Sequence, residues 1–384
     1  MTLPVLARVE KTTAHQLLSA VRYTTSPLGP TYIPSLDNFL SATDSANEDV
    51  PSYAEDPSAI RSSINRGDMI EIQGPSGSGK TQLAVFLLMT TLLPSCIKFR
   101  ISSMIRVQEV EIGGKSQTAT LLYPASHVSP VRRLAQLMKT HVRACLLSLD
   151  LAPDQLDSVV CSIINRSLSR LTVRALPAAQ TSFTTSTYSP YATLIATLRA
   201  IHRQPHPTQE MGLLVIDGIG DAFWPSKAYV RPKNLTPLRG QADQGMGDLV
   251  RVLDRVRRDV GCAVVVTNQA IWRPVERSGV VGQEAVVASG LFWAQHLPAP
   301  WPTTTLAPTD VWPLTAHITL LPPSLTQIRP DVTLVDVLRP GGEGDKRESA
   351  RAAARGKGVV RLGRSKSTMG NFGFAVSDEE VLTW

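Results

Sequence analysis

A chain of 384 residues with 43% hydrophobic and 18% charged residues can bury a large core, which excludes an intrinsically disordered protein. The formal net charge of +7 favours a polyanionic partner, and the apolar runs are shorter than the ~20 residues of a membrane helix, so no membrane partner is expected. The four cysteines are widely spaced and form no metal-ligand pattern, so reduced thiols are expected.

The first 60 residues are predicted to form a short helix followed by a polar linker. Apolar residues from Val5 to Val21 recur at helical spacing, and residues 26–58 are rich in Ser, Pro, Asp and Asn. The predicted divisions are an N-terminal helix and linker at 1–60, a core at 61–340, and a basic segment with a terminal strand at 341–384.

From Gly67 onward, short apolar runs alternate with helical patterns, which predicts an α/β fold with a mostly parallel central sheet flanked by helices. The predicted strands are Met69–Gln73, Ala119–Tyr123, Leu171–Leu176, Gly212–Asp217, Cys262–Thr267 and Ala316–Leu321, with Val332–Leu338 as a further candidate. The predicted helices are Thr81–Leu93, Pro130–Leu149, Gln155–Leu168, Tyr191–His202 and Asp248–Val260.

A basic segment lies between Glu343 and Thr368. Acidic residues stand only near its start, and the basic residues that follow are Lys346, Arg347, Arg351, Arg355, Lys357, Arg361, Arg364 and Lys366. Such a run is typical of a solvated loop or linker, and the alternative is a nucleic-acid contact or a nuclear import signal.

The most specific motif is a phosphate-binding loop that follows the first predicted strand. The pattern G-x-x-x-x-G-K-[ST] is matched by Gly74, Pro75, Ser76, Gly77, Ser78, Gly79, Lys80 and Thr81. Its glycines allow backbone N–H groups to face phosphate oxygens at the start of a helix. The motif therefore predicts a site for ATP with Mg²⁺, in which Lys80 reaches the β and γ phosphates and Thr81 coordinates the metal.

Two later strands end in polar residues that suit the same site. Asp217 follows the apolar run Gly212–Ile216, where it can hold Mg²⁺ through water, and Asp221 is the alternative. The run Ala263–Thr267 is followed by two neutral amides, of which Gln269 is the candidate sensor of the γ-phosphate. The catalytic candidates are thus Lys80, Asp217 and Gln269, and the metal candidates are Thr81 and Asp217.

In order and spacing, these elements resemble the RecA and eukaryotic recombinase family, and more closely its short paralogues of the X-ray repair cross-complementing type 2 branch. The likeness covers residues 67–267 in blocks and adds a terminal stretch that looks like that branch's last strand. It is carried by Gly67–Pro75, Leu92–Pro94, Leu213–Asp217, Ala222–Trp224 and Gly370–Phe374.

The resemblance implies a RecA-like P-loop ATPase core and a nuclear role in DNA repair by homologous recombination. It also implies a hetero-oligomer with other recombinase paralogues that binds single-stranded or branched DNA. The family's two DNA-binding loops would be Trp224–Gln244 and Ile271–Ser289. Their basic residues are Lys227, Arg231, Lys233 and Arg239 in the first loop and Arg273 and Arg277 in the second.

One departure from the family bears on hydrolysis. Active recombinases carry a glutamate just after the strand that follows the phosphate loop, whereas the matching stretch Leu121–His127 has no carboxylate. Without a water-positioning base the rate falls by roughly 10²- to 10⁴-fold, so we expect ATP binding with weak or absent hydrolysis. The alternatives are an active DNA-stimulated ATPase, a P-loop kinase, and a scaffold whose phosphate loop is vestigial.

Overall fold

The structure is a computed structural model of the chain. It describes residues 28–41, 63–100, 107–147, 149, 152–177, 191–203, 211–222, 241–269, 314–321, 333, 335–336, 339–342, 356–362, 369–376 and 381–383.

Within these residues a nine-stranded sheet forms the centre of the molecule, in the order β11-β10-β9-β8-β1-β7-β6-β4-β5. Neighbouring strands from β8 to β5 are parallel, and those from β8 to β11 are antiparallel. The strands are β1 Met69–Gly74, β2 Cys96–Arg100, β3 Val107–Glu111, β4 Thr118–Pro124, β5 Leu171–Leu176, β6 Met211–Ile216, β7 Ala263–Gln269, β8 Ala316–Leu321, β9 Gly356–Leu362, β10 Met369–Val376 and β11 Val381–Thr383.

Helices cover both faces of this sheet. They are α1 Pro34–Ser41, α2 Lys80–Leu92, α3 Val131–Leu146, α4 Pro153–Leu168, α5 Ala192–Arg203 and α6 Gln241–Arg255, with a 3₁₀ turn at Ile219–Ala222 and a π-helical turn at Val256–Val260. The result is an α/β fold with a mostly parallel central sheet flanked by helices, which is compatible with a RecA-like fold.

Successive side chains of each strand point to opposite faces of the sheet, so the core is divided into two layers. In β1, Ile70 and Ile72 pack with α1 to α4 on one face, whereas Met69 packs with α5 and α6 on the other. Because the interior strands are covered on both faces, they read as continuous apolar runs. This explains the predicted runs that became β1, β4, β6, β7 and β8. The sixth run, Leu171–Leu176, is also a strand, although it lies at the edge of the sheet and none of its side chains is fully buried.

The antiparallel hairpin of β2 and β3 was not predicted from the sequence. Charged or polar side chains lie between the apolar ones in both strands, and Lys98, Glu109 and Glu111 are exposed. Only one face of such a ribbon can be buried, so its apolar signal is short and weak.

The segment predicted as a polar linker contains helix α1. Ile33 and Leu36 are fully buried in the core, and Asp37 anchors the segment by accepting hydrogen bonds from the backbone and hydroxyl of Thr31 and from the hydroxyl of Ser63. These hydrogen bonds satisfy Asp37, one of the polar residues that made the segment resemble a linker. The predicted helix at Val5 to Val21 lies outside the described residues.

At the other end of the chain, β9 to β11 extend the same sheet. The loop interpretation of the basic segment is wrong for residues 356–362, because these residues form β9 and pair with β8 and β10. Val360 is buried, and the ring of Phe372 lies over Gly358. The stretch Gly370–Phe374 is a strand as predicted, within β10, although β11 follows it.

The further strand candidate at Val332–Leu338 is wrong where the structure describes it. Val335 and Asp336 are helical, and the Thr333 hydroxyl donates to Asp336 Oδ2 at 2.7 Å while accepting from the Asp336 N–H at 3.2 Å. This reciprocal capping favours the start of a helix over a strand. Val335 is 74% exposed, so its apolar side chain does not mark a core position.

None of the helices in the described ranges has the length and apolar character that crossing a bilayer requires.

Candidate functional site

The carboxyl end of β1 leads through a tight turn into α2, and we call residues 74–81 the 74–81 turn. Gly74 ends β1 and Lys80 opens α2. Gly77 and Gly79 have φ angles of 75° and 91°, which glycine adopts without the strain that a Cβ would bring. The turn thus lies at the N-terminus of α2, where unpaired N–H groups and the helix dipole favour a bound anion.

Lys80 adds a positive charge to this turn. Its Nζ donates hydrogen bonds to the backbone oxygens of Gly74 at 2.9 Å and Pro75 at 2.8 Å. The ammonium group is therefore held against the turn by the turn's own backbone, and its charge reinforces that of the helix N-terminus.

Asp217 directly follows β6 and faces the first turn of α2. The Thr81 hydroxyl lies 3.1 Å from both carboxylate oxygens of Asp217, and the Thr267 hydroxyl donates to Oδ1 at 2.5 Å. The same Thr267 oxygen accepts the Gly218 N–H at 2.8 Å, so this carboxylate is held by one residue of α2 and one of β7. Asp217 is only 7% exposed.

Gln269 lies beside the start of the 74–81 turn. It ends β7 and is paired with Gly74 in the register of β1 and β7. Its side chain is exposed, whereas that of the preceding Asn268 is buried. A neutral amide therefore borders the 74–81 turn at the end of the adjacent strand.

The 74–81 turn fits a phosphate group in two respects. The Ser78 hydroxyl oxygen is buried and has no hydrogen-bond partner among the described residues, although buried polar atoms usually have one. Gly79 N-caps α2 in a left-handed conformation without a side-chain cap, so no capping side chain occupies the first N–H groups of the helix. Hydrogen-bond donors and positive charge thus converge where ATP phosphates would be held.

The residues next to the turn also suit Mg²⁺. Thr81 and Asp217 supply a hydroxyl and a carboxylate, the hard oxygen ligands that Mg²⁺ prefers. No cluster of three or more His, Cys, Asp or Glu side chains able to hold a metal occurs in the described part of the chain. Mg²⁺ in phosphate sites usually takes one or two protein oxygens, with waters and phosphates as its other ligands.

The carboxyl end of β4 borders β6 but lacks an acidic side chain. Residues 118–130 are all described and include neither Asp nor Glu. Ala125, Ser126 and His127 are exposed there, and the Ala125 N–H donates to the Leu176 oxygen at 2.7 Å. The described groups at this strand end offer no carboxylate to orient a water.

The structure thus brings Lys80, Thr81, Asp217 and Gln269 to one edge of the sheet. Asp221 lies in the 3₁₀ turn that begins two residues after Asp217. Residues 224–240 of the first predicted DNA-binding loop and all of the second, 271–289, lie outside the described residues. Residues 241–244, predicted as the end of the first loop, are instead the start of α6.

Sequence reasoning missed two polar residues near this edge. Thr267 was assigned to an apolar strand, and Glu71 lies within the strand that precedes the 74–81 turn. Both are almost completely buried, at 1% and 0% exposure. A polar residue inside a strand that is otherwise apolar on both faces is the signal that could have found them.

No protein-family model matches this chain, and no curated protein matches it at a significant level.

Proposed function

We propose that this chain is an ATP-binding recombinase paralogue built on a RecA-like P-loop ATPase core, with weak or absent hydrolysis. The observation that carries the proposal is the contact of Thr81 with Asp217 at the N-terminus of the helix that follows the glycine-rich turn. A hydroxyl and a carboxylate from separate elements meet there beside a lysine, as magnesium and triphosphate binding require.

Each residue has a role in this proposal. The backbone of the 74–81 turn would hold the phosphates, and Lys80 would neutralise the β and γ phosphates. Thr81 would bind Mg²⁺ directly, and Asp217 would hold it through water. Bound Mg²⁺ supplies charge neutralisation, while Gln269, next to Gly74, would contact the γ-phosphate.

The end of β4 supports the weak-hydrolysis part of the proposal. A catalytic carboxylate is expected at this position in an active relative, and residues 118–130 contain none. Binding of ATP, rather than its hydrolysis, would then stabilise one arrangement of the strand ends.

The role in recombination repair rests on the resemblance of the sequence motifs and on the net charge of +7. By that resemblance, the chain would act in the nucleus as a subunit of a complex with other recombinase paralogues, bound to single-stranded or branched DNA. Residues 224–240 and 271–289 would supply the basic contacts, since they come after β6 and β7, the strands that lead to Asp217 and Gln269.

The proposal is tested by measuring DNA binding of the full-length chain, alone and with its co-purified partners, as a function of nucleotide. Fluorescence anisotropy of labelled single-stranded and forked DNA is recorded with ATP, with ADP and without nucleotide, at several salt concentrations. ATP should tighten binding, and the logarithm of affinity should fall linearly with the logarithm of salt concentration.

A variant control and a search for partners complete the test. Lys80→Met should abolish the effect of ATP while leaving nucleotide-free DNA binding in place. Affinity purification from cells with mass spectrometry should recover other recombinase paralogues. DNA affinity that does not respond to ATP, together with recovery of no such paralogue, would contradict the repair assignment.

A further inference from the structure

A row of polar side chains is buried inside the sheet, immediately before the strand ends that form the site. Its members lie on the neighbouring strands β8, β1 and β7, and each is at most 4% exposed. We call Glu71, Gln73, Asn268, His317 and Thr319 the buried polar row.

These side chains are connected by hydrogen bonds across the strands. Asn268 Nδ2 donates to Glu71 Oε1 at 2.9 Å, and His317 Nε2 lies 2.6 Å from Gln73 Oε1 and 3.9 Å from Glu71 Oε2. A carboxylate removed from water needs hydrogen bonds to stay buried, and these bonds run between β7, β1 and β8. Such a row in an otherwise apolar sheet therefore fixes the relative positions of the three strands.

Asn268 connects this row to the candidate site. Its Oδ1 accepts the backbone N–H of Gln269 at 3.0 Å, while its Nδ2 is held by Glu71. Gly220 lies so close to Asn268 Oδ1 that a Cβ at that position would collide with it. Both ends of the Asn268 amide are therefore fixed, and so is the backbone at the end of β7.

We propose that Glu71 and Asn268 are positioning residues for Gln269, and that they hold its amide where it distinguishes nucleoside triphosphate from diphosphate. The inference rests on the proposed function. Successive side chains of a strand point to opposite faces, so Asn268 faces the buried polar row while Gln269 shares the face of Thr267. Thr267 contacts Asp217, which places Gln269 on the metal side of the sheet edge.

The predicted effect is specific to the γ-phosphate. Without the Asn268 side chain, the Gln269 N–H loses its acceptor and the end of β7 is free to move relative to Gly74. This movement should weaken the contact of Gln269 with the terminal phosphate. The diphosphate contacts come from the 74–81 turn, and none of the hydrogen bonds described for Glu71 or Asn268 reaches that turn, so ADP affinity should be retained.

The test is isothermal titration of the full-length protein with MgADP and with the magnesium complex of the non-hydrolysable β,γ-imido analogue of ATP. Asn268→Ala should weaken binding of the analogue by roughly 3- to 10-fold, the worth of about one hydrogen bond. Its ADP affinity should stay close to that of the wild type. Gln269→Ala should give the same pattern, and the double variant should lose no more than Gln269→Ala alone.

Two further variants separate positioning from general stability. Glu71→Gln keeps an oxygen acceptor for Asn268 and should retain the preference for the triphosphate. Thr319→Val removes a buried hydroxyl from the same row that does not contact Asn268 in the hydrogen bonds described. This control can lower the melting temperature but should leave the ratio of the two affinities unchanged.

The inference is overturned if Asn268→Ala binds both nucleotides as the wild type does while Gln269→Ala loses the preference. It is also overturned if Asn268→Ala weakens both nucleotides equally, since that is the mark of a general structural defect. A wild-type protein that binds neither nucleotide would instead overturn the proposed function, and this inference with it.

Discussion

Replacement of Asp217 by Asn probes the magnesium side of the site. Asn has nearly the shape of Asp and keeps one oxygen acceptor for the hydroxyls of Thr81 and Thr267, so the fold should persist. What is lost is the negative charge, at a side chain that is only 7% exposed. Hydrogen bonds to charged groups contribute about 1.5–3 kcal/mol, which corresponds to a roughly 10- to 150-fold loss of affinity for MgATP.

The assay is equilibrium titration with ATP in the presence of Mg²⁺ and again in EDTA. Asp217→Asn should lose affinity only when Mg²⁺ is present, because its carboxylate acts through the metal. Asp254→Asn is a matched control. Asp254 lies on α6 and forms ion pairs with Arg257 and Arg258 of the adjoining π-helical turn, and it forms no ion pair with a residue of the candidate site among those described. Equal losses with and without Mg²⁺, or wild-type MgATP affinity, would refute this reasoning.

Three other substitutions test separate parts of the structure. Burial lowers the pKa of Lys115 from 10.5 to about 8, and the nearby charge of Asp37 partly offsets this shift. Between about pH 8 and 10.5 the unfolded chain therefore binds more protons at this lysine than the folded chain does, so the free energy of unfolding should rise with pH. Lys115→Met should remove this rise, at most about 3 kcal/mol, in urea unfolding at pH 7.5 and 10. Ala125→Glu, at the first exposed position after β4, should raise ATP turnover by up to roughly 10²-fold, and unchanged phosphate release would contradict that role for the position. Leu88→Ala in α2, at 0% exposure, should cost about 2–5 kcal/mol of unfolding free energy, and a loss within the error of urea unfolding would contradict its place in the core.

The parallel part of the sheet could be predicted because interior strands covered by helices are apolar on both faces. Elements with only one buried face carry a weaker signal. In β9 the buried Val360 lies among glycines and basic residues, so charge patterning favoured a loop. In and just before α1, the buried Leu36 and Ile33 lie among Ser, Pro, Asp and Asn, the composition of a linker.

For the site, a motif and a strand end were sufficient to name Lys80, Thr81 and Asp217 as candidates. Thr267 could not be assigned, because its contact with Asp217 depends on β6 and β7 being neighbours in register, with Ile216 beside Val266. Strand order is a tertiary property that hydrophobic periodicity does not encode. The same holds for the pairing of Glu71 with Asn268, which are 197 residues apart.

The most direct test of the account is titration of the full-length protein with MgATP, side by side with Lys80→Met. If the 74–81 turn holds the triphosphate, the wild type should show saturable binding at one site and the variant a large loss. The melting temperature of the variant without nucleotide should stay near that of the wild type. Absence of saturable binding by the wild type, or equal binding by Lys80→Met, would contradict the claim that the 74–81 turn holds a nucleoside triphosphate.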